Sequence, residues 1–265
     1  MFVYKGKTAL ITGASKGLGT AFAKALAARG ANVVLLARST QTLESLAQSL
    51  ASQYGVTCIA LPIDLTAPDA AQRVEKELDA RGLVVDLLIN NAGLGHSGAF
   101  LSHDVQAEQG SVQLNIQALI GLSHAFGTRM AAARQGGIIN IASNASFQPV
   151  PYMAVYAATK AFVLSFSEAL RYELAGNGVQ VMAACPGPTA TSFFDGTKTG
   201  MKDKDFDTAE SVVERTLVAF DKGEAVTYPG RFSVRVATML PRFFPRKTVV
   251  RLSGAATRGM GIADA

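Results

Sequence analysis

Near its amino terminus the chain reads Lys7-Thr8-Ala9-Leu10-Ile11-Thr12-Gly13-Ala14-Ser15-Lys16-Gly17-Leu18-Gly19, an apolar run followed at once by a glycine-rich turn. The run has the character of a buried strand, and a helical pattern follows it directly. Glycines allow such a turn to bend sharply and to approach a pyrophosphate, which then lies at the positive end of the helix. The spacing is Gly-x-x-x-Gly-x-Gly, not the commoner Gly-x-Gly-x-x-Gly. The turn therefore predicts a nucleotide site.

The same order of strand and helix continues along the chain. Strands are predicted over residues 7–12, 32–37, 57–62, 86–90, 137–142, 179–184 and 225–228, and helices over 17–29, 42–53, 68–81, 104–133, 154–176 and 208–222. Several strands are continuously apolar, as expected when helices cover both faces of a parallel sheet. The pattern predicts an α/β fold, a doubly wound parallel sheet of about seven strands with helices on both faces, and ligands beyond the carboxyl ends of the strands.

A second informative pattern is the pair Tyr156 and Lys160, with Ser143 upstream. Residues four apart share one face of a helix. A phenol is a poor acid at neutral pH, but a neighbouring cation lowers its pKa and suits it to passing a proton to or from an oxygen. Such a pair also occurs by chance on solvated helices. Together with the glycine turn, it favours carbonyl–alcohol chemistry.

These features and several shorter motifs give the chain a family resemblance. It resembles the short-chain dehydrogenase/reductase family over residues 1–230. The matching pieces are Thr12-Gly13-x-x-x-Gly17-x-Gly19, Asp64-Leu65, Asn90-Asn91-Ala92-Gly93, Asn115, Ser143, Tyr156-x-x-x-Lys160 and Pro186-Gly187. The resemblance implies a Rossmann-type single domain, an NAD(P)-dependent oxidoreductase and a homo-oligomer, either a dimer or a tetramer.

The resemblance also implies roles in binding the cofactor. Asp64 would meet the adenine, the Asn91–Gly93 segment would pass beside the ribose, and the turn after Pro186 would hold the carboxamide. The predicted cofactor-binding residues are Gly13, Ser15, Lys16, Gly17, Leu18, Gly19, Arg38, Asp64, Leu65, Asn91, Ala92, Gly93, Tyr156, Lys160, Pro186, Gly187, Thr189 (through its backbone) and Thr191 (through its hydroxyl). Two alternatives stay open: Asp64 as an ordinary helix cap, and Asn90 as a brace between strands.

The implied catalytic residues are Asn115, Ser143, Tyr156 and Lys160. Tyr156 would donate the proton in reduction, and Lys160 would also bond the nicotinamide ribose. Ser143 would stabilise charge on the carbonyl oxygen, and its spacing from Tyr156 suits the family better than that of Ser146. Asn115 would hold a water that leads protons toward Lys160, or would only kink an apolar helix.

The end of the second predicted strand bears on the choice between NAD and NADP. An acid there would accept hydrogen bonds from the ribose of NAD and repel the extra phosphate of NADP. The strand ends Leu35-Leu36-Ala37-Arg38-Ser39, without an acid. Arg38 can form paired hydrogen bonds with a phosphate, and Lys16 adds a second charge, although each is also compatible with a solvated surface. The combination predicts NADP.

Composition limits the remaining possibilities. With 265 residues and 49% hydrophobic content, the chain is long enough for one large core. It has no long apolar run and does not begin like a signal peptide, so we expect a cytoplasmic protein with no transmembrane segment. Cys58 and Cys185 are expected in the core. The histidines lack metal-ligand spacing, so no metal site is predicted.

The net charge of +5 is concentrated at the carboxyl end, where seven cations follow Glu224 before the next acid, Asp264. We expect residues 231–265 to form a basic extension packed over the cleft of the same domain. Contact with an anionic membrane surface, with an acidic substrate such as a coenzyme A ester, or with a neighbouring subunit remains open. Nucleic-acid binding is not expected, because no recognised module accompanies the charge.

The substrate is expected to be a small-molecule ketone, aldehyde or alcohol with an apolar body, for example a 3-oxoacyl thioester, a steroid-like ketone or a xenobiotic carbonyl. This expectation depends on apolar residues assigned to the pocket wall, which are Leu94, Gly95, Phe147, Pro149 and Met153, and on a lid-like loop over 188–207 that contains Phe193 and Phe194. A non-catalytic dinucleotide sensor on the same fold is the alternative function.

Overall fold

The computed structural model describes residues 1–191 and 202–264. Within these ranges the strands of the main sheet are β1 Thr8–Thr12, β2 Asn32–Ala37, β3 Cys58–Pro62, β4 Leu87–Asn90, β5 Gly136–Ile141, β6 Val179–Ala184 and β9 Val226–Thr227. These seven strands form one parallel sheet in the order β3-β2-β1-β4-β5-β6-β9. A separate parallel pair consists of β7 Thr189–Ala190 and β8 Asp207–Thr208. The predicted doubly wound α/β sheet is confirmed.

The helices cover both faces of this sheet. They are α1 Gly17–Ala28, α2 Thr40–Tyr54, α3 Ala70–Asp79, α4 Val105–Val112, α5 Leu119–Ala133, α6 Ala154–Leu174, α7 Ala209–Asp221, α8 Phe232–Met239 and α9 Arg246–Gly259. One apolar layer includes Phe22 and Phe220, and the opposite layer includes Phe126 and Met130. Burial on both sides explains why the strands read as continuous apolar runs.

The order of the strands reverses between β1 and β4, which are neighbours although β2 and β3 lie between them in sequence. Helices leave such a reversal point on opposite faces, and a crevice opens at the carboxyl ends of the two strands. The chain segments that follow β1 and β4 are the glycine turn and Asn91–Gly93. The topology therefore brings two predicted site segments to one place.

The predicted helix over 104–133 is present from Val105 to Ala133, but it is not α-helical throughout. A π-helical segment, Gln113–Ala118, separates α4 from α5. Segments of this kind are single-turn insertions into an α-helix and occur frequently at functional sites. Asn115, which the sequence assigned to the site, lies within it.

Two expectations from the sequence stay untested, the lid-like loop and the division of the chain at residue 230. The loop predicted over 188–207 includes Phe193 and Phe194, and both lie outside the described residues. The proposed division into residues 1–230 and 231–265 stays a prediction. Among the described residues, no helix is both long and apolar enough to span a membrane.

Candidate active site

The glycine turn after β1 has a geometry that larger side chains would disturb. Gly13 and Gly17 have φ angles of 66° and 57°, in the left-handed region that favours glycine. A Cβ atom on Gly19 would overlap the carbonyl oxygen of Gly13. Gly19 therefore allows the start of α1 to lie directly against the turn.

The neighbouring segment after β4 is hydrogen-bonded to this turn. The Thr12 hydroxyl oxygen accepts from the backbone N–H groups of Asn91 and Ala92, both at 2.9 Å. The Asn91 side chain donates to the Thr12 carbonyl oxygen at 2.8 Å. The Asn91 amide group thus braces the turn, and the backbone of Asn91–Gly93 forms the wall of the crevice.

Both segments border a cleft of ≈ 930 Å³ at the carboxyl ends of the strands. Its lining includes most predicted cofactor residues, namely Gly13, Ser15, Lys16, Gly17, Leu18, Arg38, Asp64, Leu65, Asn91, Ala92, Gly93, Tyr156, Lys160, Pro186, Gly187, Thr189 and Thr191. Gly19 is buried beneath the turn. One cavity therefore brings together positions that are spread over the sequence, while their individual roles stay predictions.

Arg38 and Asp64 lie at one end of the cleft. The Thr66 backbone N–H and hydroxyl donate to the Asp64 carboxylate at 3.0 and 2.8 Å. These bonds, the backbone bond first, hold the pKa of Asp64 below its usual value, and the Arg38 charge acts in the same direction. The alternative that Asp64 caps the following helix is wrong, because α3 begins at Ala70 with Asp69 at its N-cap.

Sequence reasoning missed Ser39 at this end of the cleft. It lines the cavity beside Arg38 and is the N-cap residue of α2, where its side chain makes no capping hydrogen bond. The signal was present, because an N-cap serine directly after a strand places a hydroxyl group at the amino end of a helix.

The catalytic candidates converge at the opposite end of the cleft. The Ser143 hydroxyl donates to the Asn144 side-chain oxygen at 3.2 Å and accepts from the Ala145 backbone N–H at 3.1 Å, and it also acts on the pKa of the Tyr156 phenol. Lys160 donates to the carbonyl oxygen of Ile141 at 2.7 Å, and its Nζ lies 5.9 Å from the centroid of the Tyr156 ring. The spacing of four residues along α6 therefore produces the shared face that the sequence predicted.

Ser146 has a different contact pattern from Ser143. Its hydroxyl accepts from the Ser143 backbone N–H at 3.2 Å and donates to the Lys160 carbonyl oxygen at 2.8 Å. Ser146 thus fastens the loop that carries Ser143 to helix α6. This arrangement supports the choice of Ser143 as the serine nearest to the chemistry.

Asn115 lies behind this cluster and is 2% exposed. Its side-chain N–H groups donate to the Leu94 carbonyl oxygen at 2.7 Å and to the Thr159 hydroxyl at 3.0 Å, and its oxygen accepts from the Leu94 N–H at 2.8 Å. A Cβ on Gly93 would lie 3.4 Å from the Asn115 oxygen and 3.3 Å from Lys160 Nζ. Asn115 thus joins the crevice wall to helix α6.

Asn90 is not among the residues that line the cleft. Its amide donates to the Ser123 hydroxyl at 3.0 Å and to the Asn140 side-chain oxygen at 2.9 Å. Asn140 in turn donates to Ser167 at 2.9 Å. The expectation that Asn90 braces neighbouring elements agrees with this buried chain of hydrogen bonds.

Burial shifts the pKa values of both Tyr156 and Lys160. Burial raises the pKa of the Tyr156 hydroxyl, while its hydrogen bond with Ser143 acts in the opposite direction. The expectation that this pKa lies below its ordinary value is therefore wrong for the structure, because desolvation of a phenol disfavours its charged form and is the largest effect here. Burial also lowers the pKa of Lys160 to about 8. Tyr156 accordingly keeps its proton at neutral pH.

The lowered pKa of Lys160 gives a testable dependence of stability on pH. Between about pH 8 and pH 10.5 the unfolded chain keeps a proton on Lys160 that the folded protein has lost, so stability rises with pH. We expect wild type to gain free energy of unfolding relative to Lys160→Met across this interval, by up to about 3 kcal/mol. Urea unfolding of both proteins at several pH values measures the difference. Parallel curves would contradict the lowered pKa.

The wall around the catalytic end is mostly apolar. Of the predicted wall residues, Leu94, Gly95 and Met153 line the cleft. Phe147 is instead packed against the Tyr228 ring, with centroids 5.5 Å apart, and Pro149 is not among the lining residues. The carboxyl-terminal segment, which was expected to pack over the cleft, also lines it, through residues that the sequence did not single out: Ala237, Pro241, Phe244, Val249, Leu252, Ser253, Ala256, Thr257, Met260 and Ile262.

Within residues 1–191 and 202–264, potential metal ligands do not cluster around the histidines. In the part of the chain that the structure describes, no group of three or more His, Cys, Asp or Glu residues could hold a metal ion. His103 pairs with the buried Glu108 at 2.6 Å and contacts the Ser97 carbonyl oxygen at 3.1 Å. These contacts hold the loop between β4 and α4 against α4.

Known proteins are similar to this chain in sequence and in fold. The chain matches the short chain dehydrogenase family over residues 7–202. It is 34% identical over 190 residues to the very-long-chain 3-oxoacyl-CoA reductase-A of Danio rerio, a match that covers 70% of this chain but only 59% of the fish protein.

Two solved structures extend the likeness. A short-chain dehydrogenase from Sphingobium yanoikuyae, in complex with NADPH, is 38% identical with a TM-score of 0.78 over 84% of this chain and 87% of that one. A bulky-bulky ketone specific alcohol dehydrogenase from Comamonas testosteroni is 36% identical with a TM-score of 0.78 over 89% and 91%. The family match over most of the chain shows that this protein belongs to the short-chain dehydrogenases and is an oxidoreductase.

Proposed function

We propose that the protein reduces a ketone or aldehyde with an apolar body, using NADPH, and that it also runs the reverse oxidation of the alcohol. The observation that carries this proposal is that Ser143, Tyr156 and Lys160 line one end of the same cleft, with Lys160 Nζ 5.9 Å from the centroid of the Tyr156 ring. A serine hydroxyl and a protonated phenol are the donors that a carbonyl oxygen needs as it becomes an alcohol.

The glycine turn fits the pyrophosphate of a dinucleotide, because it lines the cleft directly at the amino end of α1. When bound, the dinucleotide would supply the hydride. Ser143 would donate a hydrogen bond to the carbonyl oxygen, and Tyr156 would transfer its phenolic proton to the same oxygen. Lys160 would stabilise the phenolate left on Tyr156, since its ammonium lies beside that ring.

The preference for NADPH is supported by charge. Arg38 is exposed at the end of the cleft, Ser39 adds a hydroxyl beside it, and β2 ends without an acid. A relative of known structure is described in complex with NADPH. A guanidinium and a hydroxyl at this position suit the additional phosphate of NADP.

The apolar wall of the cleft, together with the names of the relatives, supports a bulky apolar carbonyl substrate. The fish relative is named as a 3-oxoacyl-CoA reductase and the bacterial one as specific for bulky ketones. We expect NADPH absorbance to fall with long or bulky apolar ketones and with 3-oxoacyl thioesters, and to fall much more slowly with small polar ketones of equal reactivity. Faster turnover of the polar ketones would contradict the proposed substrate class.

A homo-oligomer and a cytoplasmic location stay predictions.

A further inference from the structure

The carboxyl-terminal segment carries an exposed apolar surface beside the cleft. On α8 the side chains of Phe232, Val236 and Met239 follow a spacing of four and three, which places them on one side of the helix. They are 77%, 43% and 46% exposed. The connection to α9 adds Phe243, which is 75% exposed, and Phe244, which is 45% exposed. A continuous group of this kind is uncommon on a surface that meets only water.

The same two helices and their connection also carry exposed cations. Exposed arginine and lysine residues occur within α8, between the helices and along α9, and they are Arg235, Arg242, Arg246, Lys247, Arg251 and Arg258. On α9, Lys247, Arg251 and Arg258 share one side because they are four and seven residues apart. The sequence has no acid between Glu224 and Asp264. We call these residues, with the apolar group above, the tail surface.

The tail surface lies at the mouth of the active-site cleft. Phe244 and Leu252 line the cleft and are also 45% and 55% exposed, so each has one side toward the cavity and one toward the outside. Ala237 on α8 lines the cavity as well. Whatever covers the tail surface is therefore in contact with the entrance to the cleft.

We propose that the tail surface docks on an anionic lipid bilayer, with the apolar side chains among the headgroups and the cations against the phosphates. Apolar side chains and cations that lie together at one surface fit the boundary between acyl chains and anionic headgroups. A second copy of the chain fits less well, since a twofold contact would bring this uniformly positive surface against itself. Single-stranded nucleic acid also fits less well, because aliphatic Val236, Met239 and Leu252 offer bases no ring to stack on.

Vesicle flotation tests this inference without using catalysis. We expect the full chain to float with vesicles of phosphatidylglycerol and phosphatidylcholine, to bind vesicles of phosphatidylcholine alone at least about tenfold less tightly, and to lose binding as salt is raised. The double variant Arg242→Glu/Lys247→Glu should bind the anionic vesicles at least about tenfold less tightly. The matched control Lys24→Glu/Lys76→Glu makes the same charge change at exposed residues elsewhere and should lose much less.

The apolar half of the surface is tested in the same way. Phe232→Ser/Phe243→Ser should weaken vesicle binding about tenfold. The control Val84→Ser should not, because this side chain is 71% exposed before the amino end of β4, whereas the cleft lies at the carboxyl ends of the strands. Equal binding to neutral vesicles, or equal losses in the control variants, would overturn the proposal. An absence of vesicle binding would also overturn it. In that case, dissociation of an oligomer by Phe232→Ser/Phe243→Ser in sedimentation would indicate a contact between copies of the chain, and a preference for single-stranded oligonucleotides would indicate a nucleic-acid surface. None of these outcomes bears on the proposed reductase activity.

Discussion

Replacing Tyr156 by phenylalanine should lower kcat for NADPH-dependent ketone reduction by about 10²–10⁴-fold and leave NADPH binding nearly unchanged. The hydroxyl is the group that holds a transferable proton beside Ser143, and burial raises its pKa so that the proton stays in place at neutral pH. Removing it deletes the proton donor but changes the volume of the cleft very little. Absorbance at saturating NADPH measures turnover, and titration of nucleotide fluorescence measures binding.

The matched control is Tyr54→Phe, which removes the same hydroxyl at the end of α2, from a residue that does not line the cleft. It should keep wild-type turnover. A Tyr156→Phe protein with normal turnover would refute the proposed mechanism. If wild type binds NADPH but reduces no carbonyl in the panel, the chain would instead be a dinucleotide sensor, and Tyr156→Phe would then leave partner binding unaffected.

The second large effect is expected at Arg38. Arg38→Asp should weaken NADPH binding by about 10²-fold, because it removes a charge-assisted hydrogen bond to the phosphate and adds a repulsive carboxylate. NADH lacks that phosphate, so its binding should change little. Paired titrations of both nucleotides with wild type and variant measure the ratio directly.

A nearby arginine provides the control for this experiment. Arg73 also acts on Asp64, whose pKa it helps to lower, but it is an exposed residue of α3 and does not line the cleft. Arg73→Asp alters the charge near Asp64 to the same extent and should affect both nucleotides equally. An equal loss of NADPH and NADH in Arg38→Asp would mean that Arg38 makes no contact with the phosphate.

Much of the fold could be predicted because the strands are buried on both faces and therefore read as apolar runs. The strands at 32–37 and 179–184 match the structure residue for residue. The π-helical segment at Gln113–Ala118 could not be predicted, since its composition suits an ordinary helix and the extra residue per turn is fixed by the contacts of Asn115. The pair β7 and β8 was missed because two-residue strands leave no periodicity to detect.

The site was predictable to the extent that short spacings determine geometry. Tyr156 and Lys160 share a helical face because they are four residues apart, and the glycine turn follows β1 directly. Three features depended on tertiary contacts instead. These are the raised pKa of Tyr156, which comes from burial, the packing of Phe147 against Tyr228, and the choice of which residues of α8 and α9 line the cleft, although the segment itself was expected to pack there.

The three hydrogen bonds of Asn115 have a consequence for how the enzyme can diverge. They tie both backbone groups of Leu94 to the helix that carries Tyr156, through Thr159. Up to Leu94 the loop is thus clamped to the reaction centre, and its course cannot change without disturbing the proton donor. We therefore expect differences in substrate preference to arise farther along that loop or in the terminal helices, whose backbone Asn115 does not bind.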